Sequence, residues 1–345
     1  MANKAFYLDA LQSIVPGETA MPVAGDDDVL IKMKAVGICG SDLHYYQKGR
    51  IGDCIVEFPF ILGHEAAGEV VSVGKNVTHL KPGDRVCMEP GIPCYHCEEC
   101  LSGHYNLCEH VRFWATPPYQ GCLCEYVVHP AAFTFKLPDN MSYTEGALVE
   151  PLAIGLHAAN TAGVKLGQTV VILGAGCIGL VSLLSAKAYG ATKIIVGDVL
   201  DKRLEKAREL GGIPVNTAKE DLNAFVMAQT GGRGADIVID CAGFSATVAQ
   251  AFTVAARGAT VVLVGLGQDF WDGVPSAPLS CKELTVKSIF RYRNLYPTAI
   301  QAVSSGLIDL KSIISHRFSF EDSANAYATC TRDIQNVVKG VIEYE

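Results

Sequence analysis

The sequence predicts two architectures in succession: a β-rich, barrel-like domain, then an α/β domain built on a doubly wound parallel sheet. Three observations predict this. Up to about Asn140, short apolar runs are separated by frequent turn signals. After Glu150-Pro151 the pattern changes to apolar strands alternating with helical stretches. Between the first such strand and its helix lies a glycine-rich turn. A chain of 345 residues also exceeds one typical core, so two domains are expected.

In the first part, Val29–Val36 is a β-type run and Gly68–Gly74 a second, bounded by glycines. Lys81-Pro82-Gly83-Asp84 is a turn signal leading into the strand Arg85–Met88. In the second part, Val170–Leu173 is followed by a helix to about Tyr189. The strand Lys193–Gly197 and the helix Asp201–Leu210 come next. Asp236–Asp240, a helix from about Thr247 to Ala256, and the strand Thr260–Val264 complete the series. Past Phe290 the alternation fades.

Composition narrows the function. With 49% apolar and 19% charged residues the chain is a well-buried globular protein. A net charge of −8 argues against a general affinity for nucleic acid or an anionic membrane surface. The apolar run Val170–Ala186 is shorter than a span of ~20 residues and is broken by glycines. The first residues carry no basic segment followed by an apolar core and a cleavage site. Thirteen cysteines, an odd number, suit metal ligation and core packing in a reducing compartment better than disulfides. A cytoplasmic location is therefore expected.

Two groups of residues have metal-ligand chemistry. Cys39, His64 and Glu65, with Glu150 downstream, combine thiolate, imidazole and carboxylate, the donor types that suit Zn²⁺. Three protein ligands and an open fourth position are the mark of a catalytic site. Taken one by one, the same residues also read as a buried cysteine, a capped histidine and solvated carboxylates. The second group, Cys94-x2-Cys97-x2-Cys100-x7-Cys108, places four thiolates on one short loop. Four sulfurs close a tetrahedral shell, so this zinc is structural. An Fe–S cluster also takes four cysteines and is the competing reading.

Gly174-Ala175-Gly176-Cys177-Ile178-Gly179 follows an apolar strand and opens a helix, the context of a dinucleotide-binding turn. The helix N-terminus offers free N–H groups to a pyrophosphate. Asp198, nineteen residues past Gly179, stands where a carboxylate accepts the adenosine ribose hydroxyls, which favours NAD over NADP. Lys202 and Arg203 pull the other way, because basic residues there accommodate a 2′-phosphate. In Cys39-Gly40-Ser41-Asp42-Leu43-His44, a hydroxyl and an imidazole stand ready to carry a proton, although such a stretch also makes an ordinary polar turn.

With these motifs the chain resembles the zinc-containing medium-chain dehydrogenases, and among them the sorbitol (polyol) dehydrogenases. The resemblance runs along essentially the whole length. It is carried by Gly40–Tyr46, Gly49–Asp53, Leu62–Glu65, Ala115–Pro118, Leu148–Leu152, the glycine fingerprint and Phe290-Arg291-Tyr292. Ordinary alcohol dehydrogenases usually carry a cysteine where this chain has Glu150. The resemblance implies a GroES-like barrel over 1–152 with a zinc lobe, a Rossmann domain over 153–290, and a return to the first domain over 291–345. It implies a catalytic zinc on Cys39, His64 and Glu65. Glu150 contacts the zinc-bound water or exchanges in as a ligand, and Ser41 and His44 relay the proton. It places Tyr45, Phe113, Thr116, Arg291 and Tyr292 along a polyol pocket. The NAD contacts are Gly174, Gly176, Ile178, Gly179, Asp198, Arg203, Val264, Gly265, Leu266, Phe290 and Arg291. The expected protein is a homo-oligomer, dimeric or tetrameric, with two zinc ions per chain, oxidising a polyol such as sorbitol or xylitol with NAD to the ketose, reversibly. Other substrates of the same fold (threonine, a butanediol, a polyol phosphate) remain open, as does a non-catalytic dinucleotide-binding role.

Overall fold

The computed structural model describes residues 2–268 and 270–345; Met1, which begins the expected first domain, and Asp269 lie outside them. The chain divides into two compact units: 1–150 with 296–306 and 314–345, and 151–295 with 307–313. The second unit thus extends to Leu295 rather than 290. The segment 307–313, assigned from the sequence to the returning stretch, packs within the second unit instead. No helix among the described residues is long and apolar enough to cross a membrane.

The first unit is organised by one long strand, Asp28–Ile38. Its side chains alternate between buried and half-buried over the first part, the period of a strand with one face on a core. Its last four residues, Ala35–Ile38, are buried on both faces. Along one edge it pairs antiparallel with Glu65–Val73. Along the other it pairs first with Tyr126–Pro130, then with Gly340–Glu343 near the C-terminus. Arg85–Met88, Thr134–Lys136 and His316–Ser319 complete this sheet. Val29, Ile31, Met33, Phe60, Val70 and Met88 share one core beneath it. The expected runs 29–36 and 68–74 are both longer in the fold. The second strand begins at Glu65, so two candidate ligands stand at strand ends: Cys39 just after one strand and Glu65 first in the other.

The second unit is a six-stranded parallel sheet. Its strands run in the spatial order Ile213–Asn216, Lys193–Asp198, Thr169–Leu173, Ala235–Asp240, Ala255–Leu263, Thr285–Ser288. With the strands numbered in chain order this is 3-2-1-4-5-6, the doubly wound order that binds dinucleotides at its point of reversal. The strand Ile213–Asn216 and the helix Leu222–Gln229 were not anticipated from the sequence. The helix expected over 247–256 instead runs Ser245–Val254, and Ala255 already has extended geometry. Ala255 pairs with Ala235. That contact overrides the helical preference of two consecutive alanines.

One buried histidine ties the first sheet to the loop before the cysteine knuckle. His129 is fully buried, its Nε2 donates to the Glu89 carbonyl at 2.9 Å, and its ring packs on Trp114 with centroids 4.5 Å apart. Burial pushes its pKa down from 6.5 to about 4. A base with a depressed folded pKa stabilises the fold above its unfolded pKa and loses that contribution as pH falls. Urea midpoints are therefore expected to drop between pH 6.5 and about 4, and His129→Gln to remove part of that drop. Part is the right expectation, because burial shifts His157 the same way, to about 4.

Candidate active site and cofactor sites

Cys39, His64 and Glu65 are brought together by the first sheet. One donor atom from each lies within 4.8 Å of the other two. Sheet register accounts for this. Gly37 sits opposite Glu65, so the chain emerging at Cys39 lies beside the start of the strand that carries Glu65. Gly37 leaves room for the Glu65 carboxylate where it stands: an added Cβ would be 1.9 Å from Glu65 Oε2. Gly63, with φ of 90°, turns the chain into His64.

Asp42 holds this corner. It is fully buried, and its carboxylate accepts the backbone N–H of Cys39 and of Gly63, each at 3.1 Å. The same carboxylate faces His64 Nδ1 at 3.5 Å. Burial alone would raise its pKa, but His64 and the two N–H groups reverse that, and Asp42 is held below the usual carboxylate range. Burial likewise opposes charge on His64, yet Asp42 and Cys39 outweigh it and hold its pKa well above the usual value. With Nδ1 turned to Asp42, the other ring nitrogen is left for a metal. Thiolate, imidazole and carboxylate at this spacing fit a zinc ion with one position open.

The other residues expected here divide into two sets. Cys39 caps the helix Gly40–Lys48, which carries Ser41, His44 and Tyr45. Ser41 and His44 are three apart and share a helix face. Tyr45 is buried and packs on Phe60. The ring of Phe113 lies 5.6 Å from that of His64. Thr116 follows in the same loop, its N–H donating to the Phe113 carbonyl at 3.1 Å. Glu150 is buried in the first turn of the helix Val149–Ala162 and is not among the donors that converge within 4.8 Å. Its charge, after burial, helps raise the pKa of Glu89 to about 7. Arg291 and Tyr292 belong to the second unit, where the Arg291 guanidinium covers the Phe290 ring at 4.7 Å.

The four knuckle sulfurs also lie within 4.8 Å of one another. Cys97 Sγ is 3.3 Å from Cys100 Sγ, and Cys94 Sγ is 3.9 Å from the same atom. Zn–S bonds of about 2.3 Å put tetrahedral sulfurs about 3.8 Å apart, so the loop fits one zinc ion. A cluster of several irons would need a wider cage. Backbone N–H groups of Cys97 and Cys94 point at the sulfurs of Cys94 and Cys108, as thiolates require. The carboxylate of Glu89 accepts the Tyr105 hydroxyl of this lobe at 2.7 Å.

In the second unit, Gly174 has φ of 95°, Gly176 caps the helix Cys177–Ala188, and a Cβ on Gly179 would meet the Gly174 carbonyl at 1.8 Å. Those are the turn, the approach and the packing contact that a dinucleotide loop needs. Ile178 lies half-buried in the first turn of that helix. Asp198 ends its strand with one oxygen on the Ala175 N–H at 2.7 Å and the other on Val199 and Leu200 at 2.7 and 2.9 Å. Arg203 stands beside Gly176, its guanidinium 3.8 Å from where a Cβ there would be. The N–H groups of Val264 and Gly265 donate to the Asp240 carbonyl at 2.8 and 3.0 Å, and Leu266 is 81% exposed.

Four supporting residues went unassigned in the sequence reading. Asp42 lay inside a stretch singled out for its neighbours. Gly37 and Asp240 had only local composition to mark them. Asp240 is fully buried and fastens the Ala242 and Gly243 N–H groups with its carboxylate. Lys339 carried no local signal. It is 2% exposed, and its ammonium is 2.5 Å from the Glu65 carboxylate.

Together these features define a zinc-dependent dehydrogenase: a barrel with an open three-donor site and a closed thiolate site, and a dinucleotide-binding sheet. Comparison with known proteins agrees. Residues 25–139 match the alcohol dehydrogenase GroES-like domain, and residues 177–305 the zinc-binding dehydrogenase domain. The chain is 47% identical over 343 residues to D-xylulose reductase of Morganella morganii, spanning 97% of this chain and 99% of that one. It is 41% identical to sorbitol dehydrogenase of Arabidopsis thaliana, spanning 98% and 94%. A solved Escherichia coli oxidoreductase of unknown specificity superposes with a TM-score of 0.96 at 44% identity, each chain covered in full. The chain belongs to the zinc-containing medium-chain dehydrogenases, in the sorbitol dehydrogenase family. Its cofactors are zinc and a nicotinamide dinucleotide.

Replacing Cys94, Cys97, Cys100 and Cys108 together by serine is expected to remove one zinc per chain by elemental analysis, leaving the other. An unchanged zinc content would withdraw the metal from the knuckle.

Proposed function

We propose that this enzyme oxidises the secondary hydroxyl of a polyol of the sorbitol or xylitol type with NAD, and reduces the matching ketose in reverse. The observation that carries the reading is the convergence of Cys39, His64 and Glu65 within 4.8 Å, three donors that would leave a tetrahedral ion one position for a substrate oxygen. The relatives named D-xylulose reductase and sorbitol dehydrogenase point to the same substrate class.

In this reading Cys39, His64 and Glu65 hold the catalytic zinc, and Asp42 fixes the His64 ring. The ion supplies Lewis acidity, which acidifies a hydroxyl and polarises a carbonyl, and the nicotinamide supplies the hydride chemistry. Ser41 takes the substrate proton, and His44, one helical turn further on, releases it to solvent. Glu150 provides a second buried carboxylate for the substrate or its water. Tyr45, Phe113 and Thr116 line the pocket on the first unit, and the Tyr45 and Thr116 hydroxyls supply donors for the other hydroxyls. A polar pocket of this kind rejects analogues lacking a hydroxyl far better than an apolar slot would. The glycine turn, with Ile178, Val264, Gly265, Leu266 and Phe290, holds the dinucleotide. Asp198 takes the ribose hydroxyls and disfavours a 2′-phosphate. The protein works in the cytoplasm as a homo-oligomer, dimeric or tetrameric.

The reading is tested by following NADH formation over sorbitol, xylitol, threonine, 2,3-butanediol and galactitol 1-phosphate. Turnover on the first two is expected. Preference for any of the others would move the enzyme to another substrate class, and silence on all five with zinc bound would remove catalysis. Cys39→Ser should lose one zinc and the activity while keeping NAD binding. Asp198→Ala should narrow the kcat/KM preference for NAD over NADP, and an unchanged ratio would show that another residue selects the cofactor.

A further inference from the structure

Lys339 is buried to 2% exposure in the first unit, immediately before the last strand. An ammonium in such a place is costly unless it is paired and hydrogen-bonded. Here it has two partners of different kinds. It lies 2.5 Å from the Glu65 carboxylate and donates to the Ile38 carbonyl at 2.9 Å. Ile38 is the residue before Cys39. One ammonium therefore holds the side chain of one proposed zinc ligand and the backbone that leads into another.

Its own position is firmly set. Gly340 pairs with Ile38 on one edge of the strand Asp28–Ile38, while Glu65 pairs with Gly37 on the other edge. Ser315 clamps the Lys339 backbone: its N–H donates to the Lys339 carbonyl at 2.9 Å, and its hydroxyl accepts the N–H groups of Val338 and Lys339 at 2.9 and 3.1 Å. Gly340 lets the chain pass close to Cys330, since a Cβ there would be 2.6 Å from its sulfur. Across the strand end, Gly37 leaves space for the Glu65 carboxylate. The lysine reaches over that end from the far side.

Stability alone does not call for this lysine. Replacing a buried ion pair by apolar residues of similar volume is often neutral or stabilising. Charge balance gives it a purpose. A thiolate and a carboxylate neutralise Zn²⁺, buried Asp42 adds further negative charge beside them, and the ammonium brings a positive charge against it. We propose that Lys339 is a positioning residue for the catalytic metal, tying the Glu65 carboxylate to the backbone entering Cys39 and so fixing the separation of these two donors. The proposal rests on the reading of Cys39, His64 and Glu65 as zinc ligands.

The test uses the full-length enzyme as wild type, Lys339→Met, Lys339→Gln and Lys339→Arg. Zinc affinity is measured by competition with a chelator. Co²⁺ is exchanged into the open site, and its visible bands report ligand geometry. Circular dichroism spectra and thermal unfolding midpoints close to those of wild type certify folding. Met and Gln are expected to weaken the second zinc about 10–100-fold, the usual effect of losing a partner of a metal ligand, and to shift the Co²⁺ bands. Arg is expected to restore most of both. Folded Met or Gln protein with wild-type affinity and unshifted bands would overturn the proposal; if Met does not fold, Gln decides by the same criteria. Wild type holding only the knuckle zinc would overturn the ligand reading itself, which separates the two failures.

Discussion

The catalytic half of this protein depends on the register of one strand. Asp28–Ile38 is paired along both edges, and its last residues are buried on both faces. A one-residue slip would turn every side chain of the strand to the opposite face. It would also carry Gly37 away from Glu65, put a side chain into the space of that carboxylate, and move Cys39 out of reach of the other donors. Sheet pairing thus holds the donors more precisely than a flexible loop would. The polar groups gathered at the strand end, Asp42 and Lys339, are buried, and each is satisfied by backbone as well as by a proposed ligand or its neighbour.

The two metal sites differ in construction for a physical reason. The knuckle closes on itself: four sulfurs on one loop, supported by local N–H groups, need little from the rest of the fold. The open site takes its donors from two segments held side by side by the sheet, so it exists only when the sheet is formed. A structural ion stabilises its own loop, whereas the open site requires a scaffold to keep a position free for substrate. Glu89 joins the knuckle lobe to the first sheet, through its carboxylate to Tyr105 and its carbonyl to His129.

The dinucleotide site follows a different economy. Its glycines act by what they lack, since a Cβ on Gly179 would collide with the loop. Its carboxylates act by fastening backbone: Asp198 fastens the glycine turn and the start of the next helix, and Asp240 fastens the loop after its own strand. The parallel sheet places both carboxylates at strand C-terminal ends, where a doubly wound fold binds its ligand.

Much of this was legible in the amino-acid sequence, because it is local. Apart from Ile213–Asn216, the strands from Thr169 to Leu263 announce themselves as apolar runs, the glycine turn by its spacing, and the knuckle by four cysteines within fifteen residues. Cys39, His64 and Glu65 were readable as metal-ligand types, and resemblance to a family joined them. Tertiary structure decided the rest. The helix at 247–256 ended early because Ala255 found a strand partner. The segment 307–313 joined the second unit, and Glu150 stood apart from the three converging donors. Lys339, 274 residues from Glu65, was invisible beforehand. Chemistry confined to neighbouring residues leaves a spacing that can be read in one dimension. A contact between segments hundreds of positions apart is set by sheet register and burial, and these exist only once the chain has folded.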